Sequence, residues 1–126
     1  MIVSTSTQRM VRWAPRALTI LFAVLLSSFA LDVFAEGGDP VRMLTAAAIH
    51  LLPALLVLGL LAIAWRHELT AAFAFATLAI GYIVMTRGRF PRTTYAIIAG
   101  PLLLIAALFL VASNSRALPA GTRALE

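Results

Sequence analysis

Charged residues punctuate the chain so that four long apolar runs remain between them, at 17–35, 43–65, 69–86 and 93–115. The first is interrupted by a single charge, Asp32, and the other three by none. A helix rises about 1.5 Å per residue, so crossing a bilayer core takes roughly 17–25 residues. All four runs reach that length. The pattern predicts transmembrane helices near 17–35, 43–65, 69–86 and 93–113. A transmembrane β-barrel is excluded, because barrel strands alternate apolar and polar positions and these runs are apolar all round.

The connections are short. The segment EGGDPVR (36–42) carries Gly37, Gly38 and Pro40 as helix breakers. Arg66-His67-Glu68 is barely long enough to reverse the chain, and RGRFPR (87–92) turns at Gly88 and Pro91. Short links force consecutive helices to be antiparallel neighbours. The expected fold is therefore all-α, a single transmembrane domain over residues 1–126 built as an up-down bundle with short loops. Residues 114–126 are polar and rich in Ala, Gly and Pro, and read as a flexible tail. The terminal Leu125-Glu126 pair reads as a cloning scar.

Residues 9–35 also have the outline of a secretory signal: arginines, an apolar stretch, then Val33-Phe34-Ala35 before Glu36. The apolar stretch is long for a signal and Asp32 lies close to the supposed cut, so the first run is expected to stay as a span.

Composition supports the membrane reading. The 126 residues are 62% hydrophobic and only 12% charged, with a mean hydropathy of +0.98. A soluble domain is nearer half apolar and about a quarter charged, and so few charges could not cover a water-exposed surface. There is no cysteine, which excludes disulfides, thiolate metal sites and cysteine nucleophiles within one chain. The net charge of +5 does not point to nucleic acid. Such binding needs basic residues gathered on one face, whereas all ten basic residues here are arginines placed mostly at the ends of apolar runs. There they anchor helices among lipid headgroups.

Orientation follows from the same arginines. Arg9, Arg12, Arg16, Arg66, Arg116 and Arg123 fall on the side of the termini; Arg42, Arg87, Arg89 and Arg92 fall on the other. The excess of positive charge on the first side predicts that both termini face the cytoplasm.

Few residues could carry chemistry. Asp32 lies four residues before Glu36 on the first run, and His50 eight residues after Arg42 on the second. They enter from the same side at depths of roughly 6 and 12 Å. Ionisable groups inside a membrane are costly and mark functional sites by default. Each also has a structural reading: Asp32 paired to an arginine of its own side, and His50 bonded to a backbone carbonyl, for which the Ile49 carbonyl freed by Pro53 is a candidate. Both are expected to point into the bundle as its polar centre, near Thr45, Tyr82, Thr86 and Tyr95. Pro53 and Pro101 are expected to kink their helices. Glu36 and Asp39 of the first turn are expected to pair with Arg87, Arg89 and Arg92 of the third.

No catalytic constellation of nucleophile and base is present, and no metal or cofactor is implied. His50 and His67 lie 17 residues apart, roughly 25 Å along one helix, too far to share a haem iron. Small residues at helical spacing, Ala72 with Ala76, Thr77 with Gly81, and Ala96 with Gly100, favour close helix approach.

LDVFAEG (31–37), IHLLP (49–53), AWRHE (64–68) and GRFPRTTYAIIAGPLLLIAALFL (88–110) together resemble small bacterial four-helix membrane proteins grouped as a domain of unknown function. The resemblance covers most of the chain. It implies four spans with the first retained, and a bacterial inner membrane, but no activity. It singles out Asp32, Glu36, His50, Pro53, Trp65, Gly100 and Pro101. The sequence departs from the pattern at His67, so nothing is carried over to that residue. The function expected is a non-enzymatic accessory or assembling subunit whose partners are membrane lipids and a second copy or another membrane protein. The alternative is a small oligomeric transporter or proton-coupled exporter using Asp32 and His50.

Overall fold

The computed structural model describes residues 4–117. It contains α1 (Thr5–Ala35), α2 (Pro40–Ala64), α3 (Glu68–Thr86) and α4 (Arg92–Ala117), with no strand among the described residues. All four helices are long and apolar enough to cross a membrane. The all-α, four-span architecture is the one the hydropathy pattern predicts.

Two helix boundaries differ from the apolar runs, because a helix need not stop where lipid does. The first begins at Thr5, well ahead of residue 17, since Ser4 caps it: its Oγ accepts from the Thr7 backbone N–H at 3.4 Å. The fourth runs on to Ala117, so residues 114–117, expected as tail, are helical. The remainder of that tail, with Arg123 and the Leu125-Glu126 pair, lies outside the described residues. Pro53 and Pro101 sit inside α2 and α4 without ending either helix.

Ring contacts give the helix directions. Trp13 near the start of α1 meets Trp65 at the end of α2. On α3 and α4, Phe75 stacks on Phe109 and Tyr82 tilts against Tyr95, which only an antiparallel pair allows. The helices form a ring in chain order. The α1–α2 and α3–α4 pairs pack most extensively, and α2–α3 least. Alanines on the buried stripes of α1 (Ala23, Ala30) and α2 (Ala47, Ala54) let those backbones come close. The core centres on Phe75 and Phe109, both fully buried, with centroids 5.9 Å apart and rings nearly parallel at 11°.

The third turn carries backbone strain. Arg87 caps α3 in the left-handed region at φ 43°, followed by Gly88 at φ 73°. A left-handed cap is normally glycine, because a side chain there crowds the backbone.

Candidate functional site

The polar centre of the bundle lies at the end opposite to the one expected. Arg16 is on α1, one helical step beyond Trp13. Trp65 is the C-terminal cap of α2, and Glu68 opens α3. The tight reversal between them is held by the His67 N–H donating to the Ile63 carbonyl at 2.8 Å. Trp13 and Arg16 are three residues apart on α1, a spacing that puts both side chains on one helix face, while Trp65 and Glu68 stand at the two ends of the reversal between α2 and α3. The turn therefore delivers an indole and a carboxylate to the same spot on α1.

There Arg16 Nη2 donates to Glu68 Oε1 at 3.4 Å. Both residues are buried, at 6% and 5% exposure. The guanidinium lies 4.7 Å from the centre of the Trp65 ring and 5.8 Å from that of Trp13. The indoles meet edge to face, 6.2 Å apart at 88°. Guanidinium groups stack well on aromatic faces because they are planar and weakly hydrated. Glu68 at the first turn of α3 also faces the positive end of that helix. One more buried group supports the same level: Thr19 Oγ1 donates to the Pro15 carbonyl at 2.6 Å. The pair thus joins α1 to the α2–α3 hairpin across the bundle, under a lid of two half-exposed tryptophans.

Its position in the chain, at the start of the first apolar run, corresponds to a membrane–water interface, where tryptophan rings concentrate. Chemically the arrangement is a lock. The charges are matched, and the rings cover the cation instead of leaving it open to a ligand. Among the described residues, no three His, Cys, Asp or Glu side chains gather where they could hold a metal ion.

Residues 4–119 match the family model described as Domain of unknown function (DUF7670). The chain belongs to this family. No curated protein and no solved structure matches it.

In this DUF7670 chain the two residues expected to form the polar centre are not brought together. Asp32 is exposed and its carboxylate makes no bond among the described residues; only its backbone carbonyl accepts, from the Glu36 N–H at 3.3 Å. It lies nine residues beyond buried Ala23 on α1, half a turn away at about 100° per residue, so it faces away from the core. His50 is also exposed. Its Nδ1–H donates to the Ala46 carbonyl at 2.8 Å, one turn back on its own helix, and not to the freed carbonyl of Ile49. The bond to a backbone carbonyl is the structural reading of this residue. The register of His50 is nonetheless that of the α2 seam. Val57 and Ala64, seven and fourteen residues on, are buried at 1% and 0%, while His50 at the equivalent position is open. This edge of the seam ends before reaching it, while the neighbouring edge stays buried as far as Ala47.

The hydroxyls expected around the pair turn inward on their own helices: Thr45 Oγ1 donates to the Val41 carbonyl and Thr86 Oγ1 to that of Tyr82. The turn-to-turn ion pairs are also not formed. Glu36, Asp39, Arg87, Arg89 and Arg92 are all exposed, and the only ion pair among the described residues is Arg16–Glu68. An exposed pair contributes only about 0–1 kcal/mol, too little to draw the two turns together.

Arg16 and Glu68 each have an ordinary role by position, as a headgroup anchor and as a turn residue, which hides the pair in the sequence. The signal that was available is the repeated spacing, Trp-x-x-Arg at 13–16 and Trp-x-x-Glu at 65–68.

Proposed function

We propose that this DUF7670 protein is a non-enzymatic subunit of a bacterial inner membrane that assembles with a second copy of itself or another membrane protein through its outer helix faces. The observation that carries this reading is the exposure of Asp32 and His50 on membrane-spanning helices, neither paired with another side chain among the described residues. His50 lies roughly 12 Å below Arg42 along α2. A polar side chain facing hydrocarbon has nothing to bond, whereas one facing another helix does. The exporter alternative needs a polar passage to the same two residues. The large groove between α2 and α3 is apolar and neither residue lines it, which favours assembly.

The test is the mass of the purified full chain in mild detergent, by light scattering, and its cross-linking in native membranes. Wild type is expected to run above its monomer mass of 13.5 kDa. The double variant Asp32→Asn/His50→Ala should shift towards monomer with its helix content unchanged. A monomeric wild type that does not cross-link would defeat the proposal, and proton flux in liposomes that depends on these residues would replace it with the exporter. The absence of cysteine makes single-cysteine cross-linking free of background.

Both termini are proposed to be cytoplasmic, from the arginine bias. A green fluorescent protein fusion after residue 126 should fluoresce, and an alkaline phosphatase fusion there should be inactive. The opposite pair of results reverses the orientation.

A further inference from the structure

The weakest helix contact in the ring, α2 against α3, leaves a groove of about 860 Å³. Its walls include Ile49, Leu56 and Leu60 from α2 and Ala74, Gly81 and Met85 from α3. The wall hydroxyl of Thr77 is taken up by the Phe73 carbonyl at 2.8 Å, so it is not offered to a ligand. Each wall spans twelve residues, roughly 16 Å along a helix. That length is close to one leaflet's share of a bilayer core roughly 30 Å thick.

On its α3 side the groove reaches the end of the bundle where the first and third turns lie. Met85, 83% exposed, is two residues from Arg87. Arg42 is one residue into the first turn of α2 beyond Val41, above Ile49, and Arg89 follows in the α3–α4 turn. All three arginines are exposed, and none makes an ion pair, side-chain hydrogen bond or ring contact among the described residues. The acids of that end, Asp32 and Glu36, belong to α1 and its cap, and α1 is not the neighbour of α3 in the ring. Asp39 precedes α2. On α2, α3 and the residues flanking them at that end, three arginines thus stand against one acid, Asp39, and the balance beside the apolar slot is positive.

We propose that this groove holds an acyl chain of an anionic glycerophospholipid, with the lipid phosphate on Arg42, Arg87 and Arg89. Apolar walls hold the chain, and guanidinium forks match phosphate oxygens in a bidentate way that a zwitterionic headgroup weakens by its own cation. Basic pockets between transmembrane helices select anionic headgroups for this reason. Neither Asp32 nor His50 lines the groove, so lipid binding is read separately from assembly through those two residues.

The experiment measures lipid binding to the full chain in nonionic detergent by native mass spectrometry. Dioleoyl phosphatidylglycerol and dioleoyl phosphatidylcholine are the probes, with thermal unfolding recorded alongside and inorganic phosphate as a third addition. Phosphatidylglycerol should bind about ten-fold more tightly or better, given the gain expected from three arginines at a membrane surface. The variant R42Q/R87Q/R89Q should lose that preference and keep wild-type helix content, since all three side chains are exposed. Gly81→Leu should weaken both lipids. A Cβ at Gly81 meets nothing within 4 Å, and leucine suits a helix better than glycine, so the variant fills the groove without breaking the fold. Equal binding of the two lipids, binding that survives Gly81→Leu, or stabilisation by inorganic phosphate equal to that by phosphatidylglycerol would each overturn the proposal. So would a lipid-free dimer that Gly81→Leu abolishes, because the groove would then be filled by a second copy.

Discussion

Glu68→Leu alone is expected to cost about 3–5 kcal/mol of stability, because it leaves the Arg16 guanidinium buried beside two indoles without its carboxylate. Glu68→Gln should cost a similar amount, by leaving the guanidinium uncompensated. The double variant Arg16→Met/Glu68→Leu should recover most of the loss. Removing both charges removes the desolvation cost along with the attraction, and apolar side chains of similar volume pack well in such sites. Arg16→Lys should fall between, since an ammonium keeps the charge but not the planar stacking on Trp65 at 4.7 Å. Thermal unfolding in detergent measures these effects. Fluorescence serves as the readout, because the chain's two tryptophans are the rings of the clamp. If Glu68→Leu unfolds with wild type, the pair is not the lock described above.

The second large effect is expected at the aromatic stack of α3 and α4. Phe109 and Phe75 are fully buried and lie face to face. In water-soluble cores Phe→Ala costs about 3–5 kcal/mol, part of it lost transfer from water and part the cavity left behind. In a membrane the unfolded reference is itself in lipid, so the transfer part largely disappears and packing remains. Phe109→Ala is therefore expected to cost about 2–3 kcal/mol, chiefly the cavity share of that range. Phe75→Ala should cost about the same, and the double variant less than the sum of the two, because each ring is the other's main partner. Equilibrium unfolding of the three variants in mixed detergent gives the cycle. Additive losses would mean that the rings pack independently of each other.

The sequence by itself determined the architecture. Length and continuity of the four apolar runs are what lipid requires of a span, because every backbone group must bond within its own helix. Links as short as Arg66-His67-Glu68 leave antiparallel neighbours as the only arrangement. The family assignment was also legible in segments such as AWRHE and GRFPRTTY. The polar centre was not. Depth along a helix follows from counting residues, which puts Asp32 in the last turn of α1 and His50 near the middle of α2. Which way a side chain faces around the helix depends on which stripe is buried. In helices apolar on every side, the sequence carries almost no amphipathic signal to mark that stripe. Only packing shows that Ala23 and Ala30 turn inward and Asp32 therefore outward, and that the α2 seam closes at Val57 and Ala64 but not at His50. Packing also decides that Arg16 and Glu68, fifty-two positions apart, meet beneath two tryptophans. Each helix brings half of that site, and the tight reversal after Trp65 brings the halves together.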